Sequence, residues 1–219
     1  MCINYTPISS KNESWVNEYF GCSLPAGDWR NETFPTYPTP FIYLDDGNPR
    51  CDLAEFGLRP FWAIEKKYGT KTYNARSEIV AERPSYKNAW KNKQFGLAVM
   101  ENFFEPNWET GKAIRWGIAR KDAQPIAVAS IWERFIDKDT GEVVFSFSML
   151  TVNADGHPVM KHFHKPNDEK PSIFVLQNSD YLSWLHADNQ GATNLLKISS
   201  EDFLISSPSP LPSQIKNLR

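Results

Sequence analysis

Along the middle of the chain, polar and apolar positions alternate with the two-residue period of half-buried strands. From Lys112 to Arg120, Ile114, Trp116 and Ile118 fall on one side and Arg115 and Gly117 on the other. Glu142 to Leu150 repeats the pattern, with Phe145, Phe147 and Met149 opposite Val144, Ser146 and Ser148. Between them, the more continuous apolar run Ile126 to Trp132 predicts a buried strand, and Asp137 to Gly141 predicts a turn. Short apolar runs at Phe95 to Met100 and Ile173 to Leu176 add two more candidate strands. Helical spacing is scarcer. Ser85 is placed to cap a helix carrying Tyr86, Ala89 and Trp90 on one face. His157 to His164, with Pro158 in its first turn, and Asp180 to His186, with Leu182, Trp184 and Leu185 inward, are two further short helices. Many short strands, few helices and no βαβ alternation predict a single α+β domain on a largely antiparallel, barrel-like sheet.

No repeat or linker divides the chain, so residues 1–205 are expected to form one domain. Residues 206–219, rich in Ser and Pro, are expected to form an irregular tail. With 14 Phe, 8 Tyr and 8 Trp in 219 residues, the chain can fill a sizeable core, which excludes a disordered, collagen-like or coiled-coil protein. No apolar run approaches the roughly 18 to 20 residues of a membrane-crossing helix, so no membrane association is expected. The start Met-Cys-Ile-Asn-Tyr-Thr carries no secretory pattern. Three cysteines at irregular spacing, Cys2, Cys22 and Cys51, argue against a disulfide framework or a four-ligand zinc site. A reduced, cytoplasmic setting is expected, and Cys22 and Cys51 receive no role.

The net charge of −2 does not favour nucleic acid, but its distribution does. Between Lys66 and Lys93, eight lysines and arginines face only Glu78 and Glu82, a local +6 on a chain whose remainder sums to −8. Such a stripe can hold phosphates or simply be a solvated face.

The second residue carries the most distinctive chemistry. Methionine aminopeptidase removes Met1 when the next side chain is small, which would leave Cys2 with its α-amine and thiol on adjacent carbons. These groups titrate near about 7.7 to 8.0 and about 8.5, so both are expected to be partly nucleophilic at neutral pH. A 1,2-aminothiol captures an aldehyde as an imine and then closes a five-membered thiazolidine ring.

Five further segments follow in order: Phe56-Gly57-Leu58-Arg59-Pro60-Phe61-Trp62-Ala63, Tyr73-Asn74-Ala75-Arg76-Ser77-Glu78, Lys87-Asn88-Ala89-Trp90, Glu101-Asn102-Phe103-Phe104-Glu105-Pro106, and the stretch from His157 to Pro166. Together with Met1-Cys2, this order resembles the SOS-response-associated peptidase (SRAP) family, abasic-site-processing proteins that crosslink to damaged single-stranded DNA. The resemblance runs from Cys2 to about Leu185.

The resemblance implies a role for each matched position. Cys2 is the crosslinking nucleophile. Asn74 lies at the reacting centre, Glu105 and His164 move protons, and Trp62 packs at the DNA. Arg76, with the neighbouring cations Arg83 and Lys87, holds phosphates. The residue types fit these roles. Glu105 follows two phenylalanines whose bulk would desolvate it and raise its pKa. Asn74 can hydrogen-bond a sugar hydroxyl or the Cys2 backbone, and Trp62 offers a stacking face. His162, two residues before His164, is the fallback, and no third ligand accompanies this pair, so no metal and no cofactor is expected.

Two departures from the family pattern stand out. Ile3-Asn4 replaces the usual Gly-Arg or x-Arg after Cys, and Lys165 to Pro171 lengthens the segment after His164. The expected function is a monomeric sensor and shield of abasic sites in single-stranded DNA, or at a single-strand/double-strand junction, near the nucleoid. Its peptidase activity is expected to be self-removal of Met1, with β-elimination at the lesion as a side reaction. The alternatives are an N-terminal-nucleophile (Cys) amidohydrolase and a non-covalent single-strand DNA-binding module.

Overall fold

The computed structural model describes residues 2–63, 65–154, 156–157, 159–163, 171–196 and 203–211. Its strands are β1 (Tyr5–Pro7), β2 (Pro38–Asp45), β3 (Asn48–Phe56), β4 (Asn74–Arg76), β5 (Phe95–Asn107), β6 (Ile114–Arg120), β7 (Ile126–Ile136), β8 (Val143–Asn153), β9 (Pro171–Ile173) and β10 (Leu204–Pro208). Four short helices accompany them: α1 (Glu13–Phe20), α2 (Lys87–Lys91), α3 (Tyr181–Leu185) and α4 (Asn189–Leu195).

The β2–β3 hairpin turns on Asp46-Gly47, both with positive φ (48° and 79°), the conformation of a type I′ turn. A Cβ added at Gly47 would meet no atom within 4 Å. The cost of Gly47→Ala is therefore backbone strain alone. It is expected to lower unfolding stability by about 1 kcal/mol, read as a shifted denaturant midpoint at unchanged m-value.

Five strands close a barrel. β2 pairs antiparallel with β3 and β5, β5 with β7, and β7 with β8, while β8 completes the ring by running parallel to β3. Phe41 of β2 stacks on Phe147 of β8 at 4.4 Å, and Phe56 of β3 lies 5.5 Å from the same ring. Because β3 separates β2 from β8 in the sheet, the Phe41–Phe147 contact crosses the lumen. The interior is thus filled by aromatic and sulfur-bearing side chains, including Met100 and Met149. Residues of opposite parity, such as Ile42, Leu97 and Val99, face outward onto a second core with Trp15, Val16 and Phe20 of α1 and Trp184 of α3. This is the barrel-like α+β architecture that the alternation predicts.

Several boundaries differ from expectation. Ser206 to Pro208 does not begin a tail: it lies in β10, with Ser206 opposite Ile118 of β6, and Ser209 N–H continues the pairing to Arg115 O. Among the described residues of 157–163 the chain makes a single 3-10 turn, Met160–His162, and His157 Nδ1 accepts the N–H groups of Val159 and Met160 in the manner of an N-terminal cap. α2 begins at Lys87, with Tyr86 and not Ser85 in the N-cap position. The Ile173–Leu176 run splits: Ile173 pairs with β8, whereas Val175 bridges Val128 of β7.

Candidate active site

Two strands from distant parts of the sequence deliver the site. β1 runs antiparallel to β5 with Tyr5 opposite Phe103, and Phe104 N–H donates to Asn4 O at 3.2 Å. Residues 2–4 therefore lie alongside Phe104 and Glu105. Cys2 is 1% exposed and packs at the barrel interior, whereas Ile3 is exposed. From the other direction, β4 runs parallel to β8 with Asn74 opposite Met149. Ala75 is buried in the outer core, so Asn74 and Arg76 share the opposite face. Asn74 Nδ2 donates to Cys2 O at 2.9 Å, while the Tyr86 hydroxyl donates to Asn74 O at 3.0 Å. Sequence positions 2, 74 and 105 thereby meet.

Burial sets the electrostatics. It pushes the Glu105 carboxyl from 4.5 up to about 7, against the opposing pull of the positive amino terminus. Burial, reinforced by the charge of Glu105, also holds the Cys2 thiol well above its ordinary range. This corrects the expectation of a partly ionised thiol: a peptide value assumes water around the sulfur, and the barrel excludes it. Tyr73 belongs to the same cluster. Burial raises its phenol, with further contributions from Cys2 and Glu105. The sequence did not single Tyr73 out, and its position immediately before Asn74 was the available signal.

The remaining candidates surround this centre differently. Arg76 is exposed, its Nε 3.9 Å from Glu78 Oε2, and Arg83 and Lys87 are exposed as well. Trp62 is 46% exposed and edge-on to Tyr68 at 5.3 Å. With Lys67 and Lys71 these two aromatics line a 410 Å³ pocket, which sets Trp62 apart from an ordinary core tryptophan. His164 lies outside the described residues. Its neighbour Phe163 is buried, bridges Asn107 two residues beyond Glu105, and packs on Trp116 at 6.1 Å. His162, the fallback, is exposed with Nδ1 3.6 Å from Glu109 Oε1, also exposed. Among the described residues no group of three His, Cys, Asp or Glu could hold a metal ion, and no helix is long and apolar enough to cross a membrane.

A family model, SOS response associated peptidase (SRAP), matches residues 1–208. The chain belongs to this family. Two proteins of Bacillus subtilis (strain 168) are similar to it over 194 residues at 25% identity. They are the abasic site processing proteins YoqW, covering 86% of this chain and 82% of that protein, and YobE, covering 86% and 84%. A crystal structure of a protein from Bordetella bronchiseptica superposes with a TM-score of 0.85 at 27% identity, covering 96% of this chain and 100% of that one. Another, from Bacteroides thetaiotaomicron, shares the fold with a TM-score of 0.77 at 20% identity, covering 98% and 94%.

Within this SRAP chain, the departure at position 4 has a structural counterpart. Asn4 is buried and donates through Nδ2 to Glu32 Oε1. The same oxygen takes Arg115, whose guanidinium lies 3.3 Å above the Phe104 ring. Where Arg is usual in the family, Asn4 here joins an internal network that ties the first residues to the strand carrying Glu105.

Proposed function

We propose that this chain captures abasic sites in single-stranded DNA, or at a single-strand/double-strand junction, as a covalent thiazolidine on Cys2. Hydrolysis of the Met1–Cys2 peptide bond, with Glu105 moving the proton, frees the α-amine and is the peptidase step. An abasic nucleotide has no base to unstack, so its sugar reaches a buried pocket at low cost. The amine adds to the open-chain aldehyde, and water leaves to give an imine. Cys2 Sγ then bonds to the imine carbon as the thiol proton passes to the nitrogen. Aldehyde plus aminothiol thus gives ring plus water, with no redox partner.

Each side chain has a task in this scheme. The Glu105 carboxylate takes the proton of the α-ammonium and relays that of the thiol, which burial keeps protonated until ring closure. Asn74 anchors the Cys2 carbonyl, and its buried Oδ1, without a partner among the described residues, is available to a sugar hydroxyl. His164 protonates the sugar ring oxygen as it opens. Arg76, Arg83 and Lys87 take phosphates, and Trp62 stacks on a neighbouring base. β-Elimination from the imine is the side reaction. The protein acts as a cytoplasmic monomer on nucleoid DNA.

The observation that carries this reading is the convergence of a buried Cys2, a carboxyl titrating at about 7 and an Asn74 amide on the Cys2 carbonyl. The names of the relatives, abasic site processing proteins, point to the same lesion. Incubation with a single strand carrying one abasic site is expected to give a heat- and denaturant-resistant band from protein whose intact mass lacks Met1. No such band from Met1-free protein overturns the proposal. Retardation that is reversible and salt-sensitive would identify a non-covalent binder, and glutamine hydrolysis would identify an amidohydrolase.

A further inference from the structure

The segment that carries Phe61 and Trp62 is fastened to the barrel at every second residue. Gly57 N–H donates to Phe147 O at 2.8 Å, and Arg59 N–H to Ser146 Oγ at 2.8 Å. The Phe61 N–H hydrogen-bonds the carboxylate of Glu133. At its start, Gly57 (φ 113°) approaches Gly69 so closely that a Cβ would overlap Gly69 O. Ser146 and Glu133 are directly opposed in the β7–β8 ladder. After Gly57, these two side chains stand in for the carbonyls a strand neighbour would offer. The segment can therefore leave the sheet with its N–H groups satisfied, presenting Phe61 at 63% and Trp62 at 46% exposure.

Glu133 has a second partner. It is 3% exposed, and Asn88 Nδ2 of α2 donates to its Oε1 at 2.9 Å. Lys87 and Lys91 of the same helix line a 550 Å³ cleft with Trp90 and Asn189. One buried carboxylate thus ties the exposed aromatic pair to the helix bearing these lysines.

We propose that Glu133 is a positioning residue for DNA, fixing the Phe61–Trp62 platform in its presented geometry and in register with the lysines of α2. This rests on the reading above that Trp62 stacks on a base.

The test is a cycle of Glu133→Ala and Trp62→Ala, read as affinity for undamaged single-stranded DNA and as the adduct rate at saturating abasic DNA. Glu133→Ala is expected to weaken affinity about tenfold, because two hydrogen bonds to a charged group are lost. The saturated adduct rate should stay within about twofold, since Glu133 lies outside the reacting cluster. In the Trp62→Ala background the same substitution should cost less than about threefold, because there is no longer a platform to position. Glu133→Gln retains one acceptor oxygen and should recover most of the affinity. Should Glu133→Ala fail to fold, the Gln variant carries the comparison, with a penalty of about threefold that disappears beside Trp62→Ala. Equal penalties in both backgrounds, or none in either while Trp62→Ala itself weakens binding, overturn the positioning role. An unchanged affinity for Trp62→Ala alone overturns the stacking reading instead.

Discussion

Cys2→Ala is expected to abolish the heat-stable adduct while leaving reversible DNA binding within a few-fold. The contrast follows from where the two functions sit. The sulfur lies inside the barrel, whereas Arg76, Arg83, Lys87 and Trp62 reach solvent on separate elements. Alanine is also small enough for methionine aminopeptidase to remove Met1, so Cys2→Ala protein whose intact mass lacks Met1 has a free α-amine and can still form an imine. Borohydride should trap that imine as a covalent species from Cys2→Ala, and denaturing gels without reductant should show none. The pair of gels separates the amine's part from the sulfur's. Removing the buried thiol leaves a void of roughly one sulfur atom, a destabilisation of about 1 kcal/mol, too small to unfold a domain of this size. A reductant-independent adduct from Cys2→Ala at the wild-type rate would show that another side chain is the nucleophile.

Legibility in the sequence followed the range of the interactions involved. β6 and β8 could be read from their local alternation and β7 from its continuous apolar run, and the Asp137 to Gly141 turn sits between β7 and β8. The barrel's closure could not be read in detail. It depends on the parallel β3–β8 pairing, which joins Phe56 to Phe147 across a long sequence gap and leaves no local mark. α1 carries local marks, with Trp15, Val16, Tyr19 and Phe20 at helical spacing, the cap-type residue Asn12 before it and Gly21 (φ 65°) after it, yet Asn12 makes no side-chain cap bond in the fold. β10 was hidden by its composition: Ser206-Ser207-Pro208 resembles a tail and forms a strand only because the β6 edge accepts it.

The site divides along the same line. Cys2, Asn74 and Glu105 could be named from residue type and order, and topology alone supplied their meeting, with β1 on β5 and β4 on β8. The state of the thiol was misjudged because Ile3 and Asn4 do not reveal that Cys2 is enclosed. Burial is contributed by Tyr5, Phe56 and Phe103 from three separate strands, which pack in the same core. Tyr73 and Glu133 were passed over for a related reason: each matters through groups remote in sequence, Cys2 and Glu105 for one, Phe61 and Asn88 for the other.

In protein whose intact mass lacks Met1, Glu105→Gln should slow adduct formation by about 100-fold or more, the usual scale for losing a positioned proton acceptor. Glutamine keeps the shape and the hydrogen-bonding capacity, so DNA affinity should stay within a few-fold and the deficit should appear in the saturated rate. The pH profile identifies the cause. With its carboxyl at about 7, Glu105 gains its accepting form as pH rises through neutrality, so the wild-type rate should climb there. The variant should retain only the later rise of the α-amine, near about 7.7 to 8.0.

Stability gives an independent reading of the same group. Unfolded, the carboxyl titrates at 4.5, and folded at about 7, so across that window the native state keeps a proton that the unfolded chain has released. Stability therefore falls as pH rises from 4.5 to about 7, by up to about 3 kcal/mol for a fully buried group, and is level again above the window. Glutamine cannot titrate, so Glu105→Gln should lose that slope and become the more stable protein on the alkaline side. Denaturant midpoints on either side of the window measure it. Parallel pH profiles for the two proteins, in stability and in rate, would show that Glu105 does not titrate near neutrality and that its ionisation does not set the rate.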